Sequence, residues 1–172
     1  SAAYFGHLHD PSLVYLYEVL NIEEIYLAAR ESMLQSANIL LNLYPEEFTR
    51  ASLENHVDDL LIRFRNRSLK DTVYRVGTGL RRKLGPEDRM VSPLKAAIEL
   101  ELPYDRILGA LVSGFHFRAK DQQGNRNPED VLIHELHETN PESVLKEICG
   151  LEKEKYTAVY QQASIIDKTI LS

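Results

Sequence analysis

The residues best equipped for chemistry lie in one stretch, Arg75-Val76-Gly77-Thr78-Gly79-Leu80-Arg81-Arg82-Lys83-Leu84-Gly85-Pro86-Glu87-Asp88-Arg89. Two glycines follow a helix-like segment and permit a sharp turn that gathers backbone and basic side chains. Arginine offers a planar fork of donors to phosphate or sugar oxygens, and lysine a compact charge. The charge distribution points the same way. The chain carries a net charge of −6, yet ten of its twenty basic residues fall between Arg63 and Lys95, opposed only by Asp71, Glu87 and Asp88. That segment is therefore +7 and the remainder −13. Concentrated positive charge in an acidic protein suits a local anionic ligand such as a phosphate. The other reading is a basic surface paired with acidic neighbours elsewhere. The overall acidity argues against nucleic acid as a partner.

Other reactive types are sparser. In Gly114-Phe115-His116-Phe117-Arg118 a histidine and an arginine two residues apart stand at a helix end, where they could face a cleft. In His134-Glu135-Leu136-His137-Glu138 the two histidines share a helix face, but the spacing differs from the metalloprotease pattern. An exposed helix surface is expected there, and no metal site. His7 and His9 carry no assigned role. The single cysteine, Cys149, cannot form an internal disulfide; it reads as a buried thiol in a protein of the reducing cytoplasm. Neither a Ser/His/Asp arrangement, a pair of catalytic carboxylates nor a P-loop is present, and Gly77-Thr78-Gly79 lacks the preceding strand and third glycine of a dinucleotide fingerprint.

The elements that must hold these residues are helical nearly throughout. Ile22, Ile25, Ala29, Met33, Ala37, Leu40 and Leu43 recur at spacings of three and four, and Pro45 closes that helix. Leu53, Val57, Leu60, Leu61 and Phe64 repeat the pattern. Ser92-Pro93, Asn127-Pro128 and Asn140-Pro141 each read as an N-cap followed by a proline at the first helical position. A further apolar helix spans Arg106 to Phe117, and a last one runs from about Glu152 to Ile170. With almost no strand alternation, the expected fold is an all-α, multi-helical single domain of seven to nine helices. Its 172 residues, 44% hydrophobic and 27% charged, are enough for one core, and no apolar run approaches the ~18 residues that span a bilayer. The opening Ser1-Ala2-Ala3-Tyr4 resembles neither a signal peptide nor a natural start, so a longer parent chain is expected.

Taken in order, Arg63-Phe64-x-Asn66-x-x-Leu69-Lys70-Asp71, Arg75-Val76-Gly77, Arg82-Lys83-Leu84, Asp88-Arg89 and Pro93 resemble the C-terminal domain of the mannitol-1-phosphate 5-dehydrogenases. Leu102-Pro103 and His116-Phe117-Arg118 continue the likeness, and Ala3-Tyr4-Phe5-Gly6 is similar to the end of that family's catalytic helix. It is strongest from Arg63 to Arg118. The resemblance implies a helical substrate-binding domain over residues 1–172, similar to those of long-chain polyol and 6-phosphogluconate-type dehydrogenases. It implies an N-terminal Rossmann domain that binds NAD, a polyol phosphate as substrate, no metal, and neither nucleic acid nor membrane as partner. The family's catalytic lysine, asparagine and histidine would fall just upstream of Ser1. The implied substrate-binding positions are Arg75 and Lys83 first, then Arg82 and Arg89 toward the phosphate, with Thr78, Asn66 and His116 in support. Thr78 stands where phosphate-using members commonly carry arginine. A relative acting on an unphosphorylated polyol or sugar acid, or a helical binding module without catalysis, are the alternatives. Convergence of Arg81, Arg82, Lys83 and Arg89 on one point would favour phosphate.

Overall fold

Proline, glycine and short polar caps cut this chain into helices, and their apolar faces decide how those helices stack. A computed structural model describes all 172 residues. In chain order the helices are α1 (Ala2–His9), α2 (Leu16–Val19), α3 (Glu23–Leu43), α4 (Arg50–Phe64), α5 (Val73–Gly77), α6 (Leu80–Lys83), α7 (Val91–Glu99), α8 (Asp105–Phe115), α9 (Pro128–Thr139), α10 (Pro141–Ser143) and α11 (Thr157–Leu171). A 3-10 turn at Arg67–Leu69 and a π turn at Val144–Ile148 complete the set. The only bridge between extended residues joins Tyr15 to Thr72. Seven helices have eight or more residues, as expected; the four short ones escape periodicity because three to five residues cannot show a stripe.

Helix α8 is the axis of the fold. Eight of its eleven residues are buried, from Ile107 to Phe115, so it is apolar nearly all round and lies inside the protein. Helices α1, α3, α7, α9 and α11 pack about it, and α4 lies against α3. One cluster of 36 buried hydrophobic residues results, continuous from Ala3 to Ala163. No helix is long and apolar enough to cross a membrane.

The boundaries differ from expectation in three places. Asn127 and Asn140 cap α9 and α10 as predicted, but α7 begins at Val91, with Met90 as its cap residue. Pro93 then lies in the first turn, where no backbone donor is needed, so the proline is tolerated without Ser92 acting as cap. Helix α11 starts at Thr157, since residues 152–156 form a separate turn closed by the bond from Tyr156 N–H to the Glu152 carbonyl. In α3, Ile25, Ala29 and Ala37 are buried, but Leu40 and Leu43 are exposed and Ile39 is buried in their place. A stripe averaging 3.5 residues drifts around a straight helix of 3.6 residues per turn over this length.

The His134–His137 face is buried, contrary to the expected exposed surface. Helix α9 packs against α6 and α8 through the side that carries Asp130, Ile133, His134 and His137, leaving Leu132 outside.

Two glycines at the α5–α6 junction test this packing differently. A methyl at Gly77 would lie 2.2 Å from Cζ of the buried Phe117 ring, whereas Gly79 has open space around it but φ of +82°. Gly77→Ala should therefore cost about 1–3 kcal/mol through overpacking. Gly79→Ala should cost about 1 kcal/mol through backbone strain. Urea unfolding of both variants checks this, and Phe117→Leu should recover part of the first loss and none of the second.

Candidate functional site

The basic loop is built from short elements held by side-chain caps. Thr72 Oγ1 accepts from Arg75 N–H at 3.1 Å and starts α5. After Gly77 the chain turns sharply, and the buried carboxylate of Asp130 takes three donors from that turn. They are the Thr78 hydroxyl at 2.9 Å, Gly79 N–H at 3.1 Å and Leu80 N–H at 2.7 Å. Asp130 thus caps α6 from another helix, since the N-cap residue Gly79 has no side chain to offer. Tyr4 of α1 donates from its hydroxyl to the Gly77 carbonyl at 3.1 Å, and Phe117 packs edge-on against Tyr4.

Helix α6 carries Arg81, Arg82 and Lys83. Lys83 is half-buried and donates from Nζ to the Val76 carbonyl at 2.5 Å. Burial pushes its amine down to about 8, helped by the charges of Arg82 and Arg89. Asp88 gathers the last two: Oδ2 accepts from Arg82 at 2.9 Å, and Oδ1 from Arg89 Nε at 3.2 Å. Arg81 is exposed and outside this group. The head of α1 lies alongside, with Ser1 close enough to feel the charges of Arg89 and Lys83. Arg82, Lys83 and Arg89 therefore form one cation group with Asp88 as its bridge.

The rest of the basic segment divides among other tasks. Arg63, Arg65 and Arg67 lie over the rings of Phe64, Tyr26 and Tyr17, and Lys95 reaches the Pro86 carbonyl at 3.5 Å. Asn66 is exposed and caps the 3-10 turn by accepting from Ser68 N–H at 2.9 Å. Arg75 pairs with Asp71 and opens onto a cleft of about 1240 Å³. Lys70, Arg118, Lys120, His7 and His116 line the same cleft; Lys83, Arg82, Arg89, Thr78 and Asn66 do not. The fold thus divides the expected substrate-binding residues in two, with Arg75 and His116 in the cleft and the Lys83 group outside its lining.

Behind His116 lies a layer of buried polar residues. His116, at the end of α8, and His137 of α9 both direct Nε2 at Oδ1 of Asp167 on α11, at 2.7 and 2.9 Å. A carboxylate only accepts, so both rings donate, and one oxygen ties three helices together. The three ligand atoms lie within 4.8 Å of one another, a set that a divalent metal could use, although both contacts have ordinary hydrogen-bond lengths. One turn back on α9, His134 Nδ1 meets the guanidinium of Arg126. Asp130 and Asp167 organise this region and are the positions that sequence reasoning missed. Both are lone acids at helical positions, distinguished only by the long-range partners that the fold brings to them.

Burial is the first cause that holds the imidazoles of His7, His116 and His134 below their ordinary 6.5, reinforced at His7 and His134 by Arg118 and opposed at His116 by Asp167. His134 falls furthest, to about 3. These rings are neutral in the fold at pH 7. Below pH 6.5 the unfolded chain takes up protons that the folded chain does not. Stability should therefore be full above about pH 6.5 and fall as pH drops from there toward 3. His134→Gln should make that fall shallower, by up to about 1.4 kcal/mol per pH unit between pH 4 and 6. Urea midpoints at several pH values decide it, and an unchanged slope would refute it.

Comparison with known proteins identifies a family. A family model described as the mannitol dehydrogenase C-terminal domain matches residues 1–168. The chain is 29% identical over 153 residues to the mannitol-1-phosphate 5-dehydrogenase of Pyrenophora tritici-repentis, covering 89% of this chain and 38% of that protein. It is 30% identical over 159 residues to that of Chaetomium globosum, covering 90% and 37%. It is 25% identical over 172 residues to that of Buchnera aphidicola, covering 98% and 42%. The chain thus spans about two fifths of the length of these relatives.

Proposed function

This chain belongs to the mannitol dehydrogenase C-terminal domain family, and from that premise we propose that it is the substrate-binding part of an NAD-dependent dehydrogenase converting mannitol 1-phosphate to fructose 6-phosphate. The observation that carries this reading is the environment of Lys83: half-buried, anchored on the Val76 carbonyl, flanked by Arg82 and Arg89, and set beside the head of α1. A lysine held in this way presents a positioned charge, with little conformational freedom left to lose when a ligand binds.

The division of labour follows from the chemistry. Oxidising a secondary alcohol needs a base near neutral pH and a polyol held with one carbon facing the hydride acceptor. The reading places the base, with its asparagine and histidine helpers, on the helix leading into Ser1. This chain would supply the holding, with Lys83 on the polyol and Arg82 and Arg89 toward the phosphate; Arg75, paired with Asp71 on the cleft, stands apart from that group. Thr78 acts through the loop, by donating to Asp130, and His116 is a cleft-wall group steadied by Asp167. Asn66 has its side-chain oxygen committed to its own turn, which leaves its amide nitrogen for any ligand contact. A dinucleotide does not fit here. The glycine-turn N–H groups that would cradle a pyrophosphate are taken by Asp130, so the reading assigns NAD to an upstream domain.

A second reading, an unphosphorylated polyol or sugar acid as substrate, draws on one observation. Asp88 already satisfies both Arg82 and Arg89, so a phosphate there must compete with a carboxylate.

The test uses the protein extended upstream through its nucleotide-binding domain, following NADH formation with mannitol 1-phosphate and with mannitol. We expect a preference of about a hundredfold or more for the phosphate, equivalent to roughly 2.7 kcal/mol. Equal rates would discard phosphate selectivity in favour of the second reading. Lys83→Met should lower kcat/KM at least about tenfold, as loss of one charge-assisted contact predicts. With the native residue, KM for the phosphate should rise as pH climbs through about 8, because Lys83 loses its charge there. A flat profile from pH 7 to 9 would remove Lys83 from the site.

A further inference from the structure

One interior cluster is not accounted for by holding a substrate. His116 follows α8, His137 lies on α9 and Asp167 on α11, and Nε2 of each ring meets Oδ1 of the carboxylate, at 2.7 and 2.9 Å. None of the three side chains is more than 10% exposed. Asp167 meets no lysine or arginine, and its Oδ2 accepts from nothing in the protein. A buried carboxylate is costly without a compensating charge, and neither ring carries a permanent one. Arg118, two residues beyond His116, is committed elsewhere: it donates to the Phe115 carbonyl at 2.6 Å and reaches Glu138 at 3.6 Å. Three ligand atoms therefore converge around a negative charge, with no basic side chain to balance it.

Spacing along α9 pairs His137 with His134, but the fold separates them. His134 Nδ1 is taken up with Arg126, and the ring that joins His137 comes from the end of α8, with the acid thirty residues further along the chain.

We propose that His116, His137 and Asp167 bind a divalent transition-metal ion of the zinc class. Their ligand atoms all lie within 4.8 Å of one another. Zinc takes imidazole nitrogen and carboxylate oxygen at about 2.0–2.2 Å, so tetrahedral ligands stand roughly 3.3 Å apart. The contacts of 2.7 and 2.9 Å need to open by only about half an ångström, within reach of side-chain rotation. Each neutral ring then carries its proton on Nδ1 and turns the Nε2 lone pair to the ion, with no net release of protons. Two imidazoles with a carboxylate suit zinc, cobalt or nickel, whereas magnesium and calcium favour oxygen ligands throughout. Three protein ligands leave one tetrahedral position for water or a ligand oxygen, and the cleft that His116 lines provides the way in. The ion fastens α8, α9 and α11 at one point and steadies the end of α11, whose Ile170 and Leu171 line the same cleft. It takes no part in the proposed hydride transfer, so the site and that reading stand or fall separately.

The test strips the 172-residue chain with a chelator, dialyses it against micromolar free zinc, and measures bound metal and the thermal midpoint. One ion per chain is expected, with the midpoint raised by about 5 °C or more, as an ion present at about a hundred times its Kd predicts. Cobalt in place of zinc should give the visible absorption of a four-coordinate site. His137→Gln and Asp167→Asn should abolish both the uptake and the shift, while His9→Gln, at a surface histidine paired with Glu24, should keep both. If the two interior variants fail to fold, His116→Gln at the cleft wall replaces them; it should weaken zinc at least tenfold and lose the cobalt absorption. A native chain that takes up no zinc under these conditions overturns the site. Zinc held equally by the native chain and by the variants at His116, His137 and Asp167 overturns it too, by placing the ion elsewhere.

Discussion

One buried carboxylate sets the geometry on which the rest of the site depends. Asp130, near the start of α9, accepts from the Thr78 hydroxyl and from the N–H groups of Gly79 and Leu80. A charge taken out of water is costly unless its oxygens are satisfied, and here three donors satisfy them. The constraint is reciprocal. The carboxylate needs the turn, and α6 needs a cap that its own glycine cannot provide. Through this contact a helix from the second half of the chain determines where Arg81, Arg82 and Lys83 point. Phe117 fixes the same turn from below, because its ring occupies the space that any side chain at Gly77 would need.

Once that turn is held, the basic segment cannot act as one patch. Helix α5 presents Arg75 to the cleft, while α6 carries Arg82 and Lys83 to the head of α1, where Asp88 bridges Arg82 and Arg89. The division comes from backbone direction: the reversal at Gly77–Gly79 separates residues that are neighbours in sequence. Three of the remaining arginines lie over aromatic rings, where they contribute packing as much as charge. Charge density along a chain thus overstates the charge that reaches any one point in space.

A similar economy governs the interior. Asp167 brings His116 and His137 together across α8, α9 and α11, and Arg126 meets His134 one turn away. Burial depresses both His116 and His134, while His116 still forms part of the cleft wall.

Much of this protein was legible in its sequence because the signals are local. Apolar spacing of three and four marks α3 and α4, Asn-Pro marks the starts of α9 and α10, and the near-absence of alternation identifies an all-helical fold. The order of basic motifs from Arg63 to Pro93 carried the family likeness, which the match over residues 1–168 bears out. What the sequence could not show depends on partners far along the chain. The burial of His134 and His137 follows from which face of α9 meets α8 and α6, and periodicity does not rank two faces that both carry polar groups. Asp130 lies about fifty residues from the turn it caps, and Asp167 thirty and fifty-one residues from the histidines it joins. Only tertiary structure decided those contacts, because a lone carboxylate on a helix has no identity until a distant segment brings it a donor.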